Sequence, residues 1–388
     1  MSQSSRWSRR ELFQMLGISA AAAAWPAHAA GAAPTFPKGS VIRTVLKDYA
    51  PEDLAGAATL FHEHLSFAPD FMTRWTRYAA ETRAANGLPP AGGRGPSTGS
   101  GRTGGDGRAG GAPPTTAPSG PFFMQDEPLM VEELRTAKSE GIGCIVDGGH
   151  PDMGRDVTAL RQLSKESGMP IVAGAGFYTQ PFYPAEIKTM SEEQIVLALV
   201  KQCESDPVGV FGEIGSWDDM TADERRVFRA IGKAHLATNL PIFTHTGIPG
   251  KAALEQLDIL EDAGVKPNRI VIGHLGNLVD HNVQVQKAIC RRGAFVGFDR
   301  QGGPGDAQQV PMVMALIEAG FADNLMFSAD ISSAAQMKKN GGQGYAKTLT
   351  VFVPKIKAAG ASDEVLRGIM VDNPRRFLAF VPKKARNA

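Results

Sequence analysis

The chain has 388 residues, 43 % of them apolar, with 41 Lys and Arg against 40 Asp and Glu. That composition fits one large soluble domain or two small ones, and a net charge of +1 without a basic stripe argues against nucleic acid as a partner. The three cysteines, Cys144, Cys203 and Cys290, are scattered and form no disulfide framework; none has the setting of a nucleophile.

At the start, Ser8-Arg9-Arg10-Glu11-Leu12-Phe13-Gln14 precedes a weakly apolar stretch from Met15 to Trp25 and the small-x-small site Ala27-His28-Ala29. The pattern resembles a twin-arginine export signal over residues 1–29, which predicts a periplasmic or secreted protein. The apolar run is too short and too rich in alanine for a stable membrane anchor. His28 leaves with the signal and is no ligand.

Residues 40–382 then read as a single domain of alternating apolar runs and amphipathic stretches. Strands are predicted near Ala57 to Phe61, Gly143 to Asp147, Ile171 to Gly174, Gly209 to Glu213, Pro241 to His245, Ile270 to His274, Ala294 to Phe298 and Leu325 to Ala329. Helices are predicted between them, as at Met130 to Glu140, Asp156 to Ser167, Ala222 to Ala237, Lys251 to Ala263 and Val310 to Ala319. Eight such units make an α/β chain of the (β/α)8 TIM barrel type, whose sites lie at the C-terminal strand ends. One segment breaks the rhythm. From Pro89 to Gly120 about half the residues are Gly or Pro, which predicts a disordered insertion between the first strand and its helix. Beside it, Phe67 to Asn86, with Trp75 and Tyr78, is the better source of ordered substrate contacts.

Five predicted strands end in metal-liking side chains: Phe61-His62-Glu63-His64, Phe211-Gly212-Glu213, Phe243-Thr244-His245, Ile272-Gly273-His274 and Ser328-Ala329-Asp330. With period-2 alternation His62 and His64 project the same way and Glu63 does not. Imidazoles and carboxylates in this arrangement suit two divalent cations, zinc or a similar borderline ion, and a two-oxygen carboxylate can bridge them. Such a centre implies hydrolysis.

These residues carry a family likeness. His62-Glu63-His64-Leu65, Ile145-Val146-Asp147 with Gly154-Arg155-Asp156-Val157, Thr244-His245-Thr246, Gly273-His274-Leu275-Gly276 and Asn373-Pro374-Arg375-Arg376-Phe377-Leu378 resemble, in order, the phosphotriesterase family of the amidohydrolase superfamily. The resemblance implies that His62, His64 and Asp330 hold the more buried ion and His245 and His274 the other. Well-known members bridge the ions with a carboxylated lysine on strand four. Here Gly212-Glu213-Ile214-Gly215 resembles the phosphotriesterase-related branch, with Glu213 as the bridge. Tyr178 and Arg300 resemble pocket residues of lactonase-like members and are the candidate substrate contacts; Trp217 is a candidate pocket wall. His150 reads equally as a support for the site and as a turn residue, whereas His235 and His281 read as surface or packing residues.

The expectation is a binuclear, zinc-dependent hydrolase acting on an ester-like bond. The two cations would turn a shared water into hydroxide, with Asp330 taking its proton. The substrate would be a small lactone or carboxylic ester first and a phosphotriester second. Two rivals are an exported, non-catalytic barrel that binds metal or a ligand, and a monometallic deaminase. Related barrels often pair, which leaves a homodimer open.

Overall fold

The structure is a computed structural model that describes residues 33–85 and 122–383, apart from 218, 248, 249, 279 and 281. The expected export signal, the Gly/Pro-rich segment 89–120 and His281 lie outside the described residues.

Eight parallel strands form the barrel: β1 Ala58–Glu63, β2 Ile142–Asp147, β3 Ile171–Ala175, β4 Val208–Ser216, β5 Ile242–Thr246, β6 Ile270–Ile272, β7 Phe295–Phe298 and β8 Leu325–Phe327. Each pairs with its neighbour in chain order. The circle closes between β8 and β1 through a side chain. Ser328 Oγ accepts from His62 N–H at 3.1 Å and lies 2.7 Å from both the His62 carbonyl and Glu63 Oε1.

Alternation along these strands divides the core in two. Phe61, Cys144, Val146, Val172, Val210, Phe243, Val271, Phe295 and Met326 form one buried cluster, filling the lumen. Their strand neighbours, such as Leu60, Ile145, Ile171, Phe211, Ile242 and Phe327, pack outward in the other. Around them run α1 Phe71–Ala85, α2 Glu127–Ser139, α3 Val157–Ser167, α4 Glu192–Ser205, α5 Ala222–Thr238, α6 Ala253–Asp262, α7 Gln284–Arg292 and α8 Asp306–Glu318. Several start where the sequence supplies a cap. Asp156 accepts the N–H groups of Thr158 and Ala159, and Thr221 and Glu224 form a reciprocal capping box. Val41 and Phe380 exchange backbone hydrogen bonds, tying the two ends of the domain together. The Asn373 side chain donates to the carbonyls of Ala322 and Leu325, so the Asn-Pro-Arg-Arg-Phe-Leu motif fastens the base of β8.

Several strand ends differ from the sequence expectation: β1 and β4 run on to Glu63 and Ser216. The strands predicted to run to His274 and Ala329 stop at Ile272 and Phe327. His274 and Asp330 adopt left-handed backbone, φ 60° and 49°, which ends an extended strand. The Gly/Pro-rich segment also follows a helix, α1, rather than β1 itself, so among the described residues the first crossover carries two α-helices.

Candidate metal centre

Two local irregularities turn ligands into the lumen. The β1 and β2 register shifts between Leu60 and Glu63, and the β4 and β5 register shifts between Phe211 and Ile214. An extra residue in a strand re-aims the side chains beyond it. Gly212 makes the second shift feasible: its φ is +147°, and a Cβ there would meet Phe243 Cδ1 at 2.3 Å. His62 and His64 therefore both face the centre. Glu63 faces β8, where its carboxylate accepts from the Ala329 and Ile331 N–H groups at 2.6 and 3.0 Å.

The six expected ligands meet in one place, five of them buried and Asp330 partly exposed. Glu213 is central. Its Oε1 lies 3.2 Å from His64 Nε2, and its Oε2 lies 3.2 Å from His62 Nε2, 2.9 Å from His245 Nδ1 and 3.6 Å from His274 Nε2. Asp330 Oδ1 stands 3.1 Å from His64 Nε2 and 3.9 Å from His62 Nε2. Among the described residues, His62, His64 and Glu213 form one group of convergent ligand atoms, and Glu213, His245 and His274 another. Glu213 belongs to both, as a bridge must.

Electrostatics agree with a site built for cations. Burial alone would push the Glu213 carboxyl up, but the His62 and His245 imidazoles hold it well below the usual range. Asp330 is likewise held well below, its burial outweighed by the Arg300 guanidinium and His64. Burial lowers His64, yet Asp330 and Glu213 raise it to about 9. His245 goes the other way, to about 4, because burial outweighs Glu213 and His274 adds to it. Carboxylates thus persist in a dry site, and at neutral pH the His64 ring carries a proton that a metal would displace while His245 stays neutral.

The residues fit a pair of ions. His62 Nε2 is buried and makes no hydrogen bond, although Glu213 Oε2 is 3.2 Å away. Its other nitrogen, Nδ1–H, donates to Asp299 Oδ2 at 2.9 Å, which turns Nε2 toward the centre as the atom free to ligate. His274 repeats the arrangement, with Nδ1–H donating to Asp299 Oδ1 at 2.8 Å. One carboxylate therefore orients one histidine of each ion. Asp299 was not among the expected functional residues. The pattern that marked the others, an apolar run ending in an acid, is present at Phe298-Asp299 and would have found it.

The expected substrate contacts lie beside the centre. Tyr178 accepts from Trp75 Nε1–H at 2.9 Å, and its hydroxyl is 3.1 Å from His245 Nδ1. Arg300 Nε donates to Asp330 Oδ2 at 2.7 Å and Nη2 to His274 Nε2 at 3.0 Å. Both line a cavity of about 470 Å³ that exposes Glu213 and Asp330, with Phe67, Phe71, Met72 and Trp75 along one side. These four side chains come from the segment after β1 that was expected to offer substrate contacts, whereas its Tyr78 packs on Trp217. Trp217 stacks on His245, centroids 5.9 Å apart, and contacts Trp75 and Tyr78, behind that wall rather than on it.

Other residues fall into place. His150 is buried, its Nε2 donating to the Glu213 carbonyl at 2.9 Å and its Nδ1 2.5 Å from Asp152; it supports the bridge from below. His235 packs in α5 against the Leu240 carbonyl. Burial pushes the Cys144, Cys203 and Cys290 thiols up to about 12, which leaves them inert.

An N-acetyltaurine hydrolase of Danio rerio is 27 % identical over 359 residues, spanning 87 % of this chain and 98 % of the relative. The human N-acetyltaurine hydrolase is 29 % identical over 275 residues, 66 % of this chain and 78 % of the relative. A lactonase from Listeria monocytogenes superposes with a TM-score of 0.69 at 24 % identity, covering 89 % of this chain and all of the lactonase, which establishes the shared barrel. The profile described as Phosphotriesterase family matches residues 42–378, and the chain belongs to that family of hydrolases.

Proposed function

We propose that the protein is a two-metal hydrolase that cleaves the bond between a carbonyl carbon and a heteroatom in a small acyl compound. The observation that carries this reading is Glu213, a buried carboxylate shared by two histidine pairs. The residues that would hold the ions are His62, His64 and Asp330 on one side and His245 and His274 on the other, with Glu213 between. Zinc is the first choice, because four imidazole nitrogens and two carboxylates suit it. When bound, the ions supply an activated water and polarise the substrate oxygen. The chain does the rest. Asp330 reaches the cavity, accepts the proton of the attacking water and returns it to the departing heteroatom. Asp299 holds His62 and His274 in one tautomer, and the aromatic wall excludes water.

An acyl amide is the favoured substrate, because relatives named as N-acetyltaurine hydrolases align over up to 87 % of the chain. An ester or lactone is the second reading, favoured by the Gly273-His274-Leu275-Gly276 and Phe298-Asp299-Arg300 segments. The test is metal analysis of purified protein, followed by an amide, lactone, carboxylic ester and phosphotriester screen. Two equivalents of metal and chelator-sensitive turnover are expected. Metal-free protein, or no turnover after reconstitution, would replace this reading with that of an exported binding barrel. Export itself is proposed on the twin-arginine pattern, and intact mass of periplasmic material should show residues 1–29 removed.

A further inference from the structure

Two buried side chains stand behind the catalytic cavity and reach its residues through their backbone. His150 and Asp152 belong to the short turn after β2, in which Pro151 follows His150 directly. Their side chains are 0 % and 1 % exposed, and neither lines the cavity. The turn is itself pinned. His150 O accepts from the Met153 and Arg155 N–H groups at 2.9 and 3.2 Å, and Met153 O accepts from Ala68 N–H at 2.8 Å, in the segment that supplies the aromatic wall.

From this fixed turn the pair grips two peptides. His150 Nε2–H donates to the Glu213 carbonyl at 2.9 Å, and the Glu213 N–H donates to Gly148 O at 2.9 Å, so the peptide that carries the bridging carboxylate is held at both its polar groups. The ring is fixed in turn by Asp152 Oδ1, 2.5 Å from Nδ1. The other oxygen, Asp152 Oδ2, accepts the Tyr178 N–H at 2.8 Å, while Tyr178 O accepts from Gly215 N–H at 2.9 Å. Rotating either peptide would leave buried polar groups unpaired. An imidazole has nitrogens on opposite edges and a carboxylate has two oxygens, so each side chain can serve two partners at once.

We propose that His150 and Asp152 are positioning residues: His150 keeps the Glu213 carboxylate where it spans both ions, and Asp152 ties that place to the place of Tyr178. The first half rests on the two-metal reading for what Glu213 spans; the tie to Tyr178 stands without it.

The experiment compares His150→Asn with His150→Gln in full-length protein, because each amide replaces one half of the ring. The asparagine nitrogen reaches the place of Nδ1, towards Asp152, and the glutamine nitrogen that of Nε2, towards Glu213. In chelator competition His150→Asn should bind zinc about 10–100-fold more weakly than the wild type, and His150→Gln within about threefold of it. Asp152→Ala should shift the emission of Trp75, whose indole N–H donates to the Tyr178 hydroxyl, taken as the difference from a Trp75→Phe background. Both His150 variants should leave that emission in place. Unchanged zinc affinity in both His150 variants, or an equal loss in the two, overturns the hold on the bridge and reduces the ring to packing. Emission that does not move in Asp152→Ala overturns the tie to Tyr178; should that variant not fold, Asp152→Leu, of similar size and without acceptors, reads the same signal. A wild type that binds no zinc removes the two-metal reading and the hold on the bridge together, and the emission still decides the tie. The zinc pattern without turnover of amides, lactones or esters sustains the positioning role and removes the hydrolase reading; turnover without the pattern does the reverse.

Discussion

The two halves of the barrel lumen are built from the same strands to opposite ends. β5 contributes Phe243 and then His245; β6 leads from Val271 to His274, and β8 from Met326 to Asp330. In the lower half each apolar side chain removed from water contributes roughly 1.5–3 kcal/mol. In the upper half burial is unfavourable: carboxylates and imidazoles lose hydration, and two ligands sit in left-handed backbone worth about 1–3 kcal/mol each. Phe243 joins the halves, its ring 6.2 Å from Phe61 and 4.9 Å from His62. Stability therefore resides below and reactivity above, and one side chain marks the border.

Removing the shared charge should break this division most severely. Glu213→Gln keeps the volume but offers one carbonyl oxygen where two ionised ones bridged, so metal content should fall well below two equivalents, most at the His245 and His274 position. Turnover should fall by about a thousandfold or more, since both water activation and substrate polarisation depend on the pair. Elemental analysis of dialysed protein checks it, and retention of both ions with near-normal activity would end the binuclear assignment. Next comes Asp330→Asn. An amide cannot take the proton of the attacking water, so turnover should drop on the order of a hundredfold or more while more metal is retained than in Glu213→Gln. Equal metal loss in the two variants would make Asp330 only a ligand.

Asp299 tests whether the orientation of histidines matters as much as their presence. Asp299→Asn places an NH2 group where one of the two carboxylate oxygens stood, so the Nδ1–H of His62 or of His274 loses the acceptor that faces it. Metal affinity should weaken by about 10–100-fold, with turnover recovered at high metal concentration. A chelator competition titration reads it. Unchanged affinity would show that packing alone holds the two rings.

The barrel was legible in the sequence because its lumen and its outer layer alternate with period 2 between amphipathic helices, and all eight strands lie where the apolar runs are. The cluster of candidate ligands was legible for a related reason: His62, Glu213, His245, His274 and Asp330 each follow an apolar run. What period 2 could not reveal was the register shifts in β1 and β4, since a bulge leaves no pattern of its own. Glu63 shows the limit well. Alternation correctly turned it away from His62 and His64, but not towards Ala329 and Ile331, 266 and 268 residues on. Asp299 ends a run of the same kind and could have been found, but its hold on both His62 and His274 depends on long-range closure. Arg300 was expected near the pocket, yet its hold on Asp330 needs coordinates.

The mildest perturbation of the site should come from below it. Met326 is fully buried in the lumen cluster, on the same strand that leads to Asp330. Met326→Ala deletes apolar volume that neighbours refill only in part, which should cost about 2–5 kcal/mol of stability. It shares that cluster with Phe61 and Phe243, whose rings contact each other and His62. If that layer is rigid, turnover and metal affinity at moderate temperature should stay within about twofold of wild type, because packed interiors lose stability before they lose geometry. Denaturant melts paired with a chelator titration make the comparison. A drop in metal affinity as large as that of Asp299→Asn would show that the lower lumen sets ligand geometry through the Phe61 and Phe243 layer, and that the two halves are one unit.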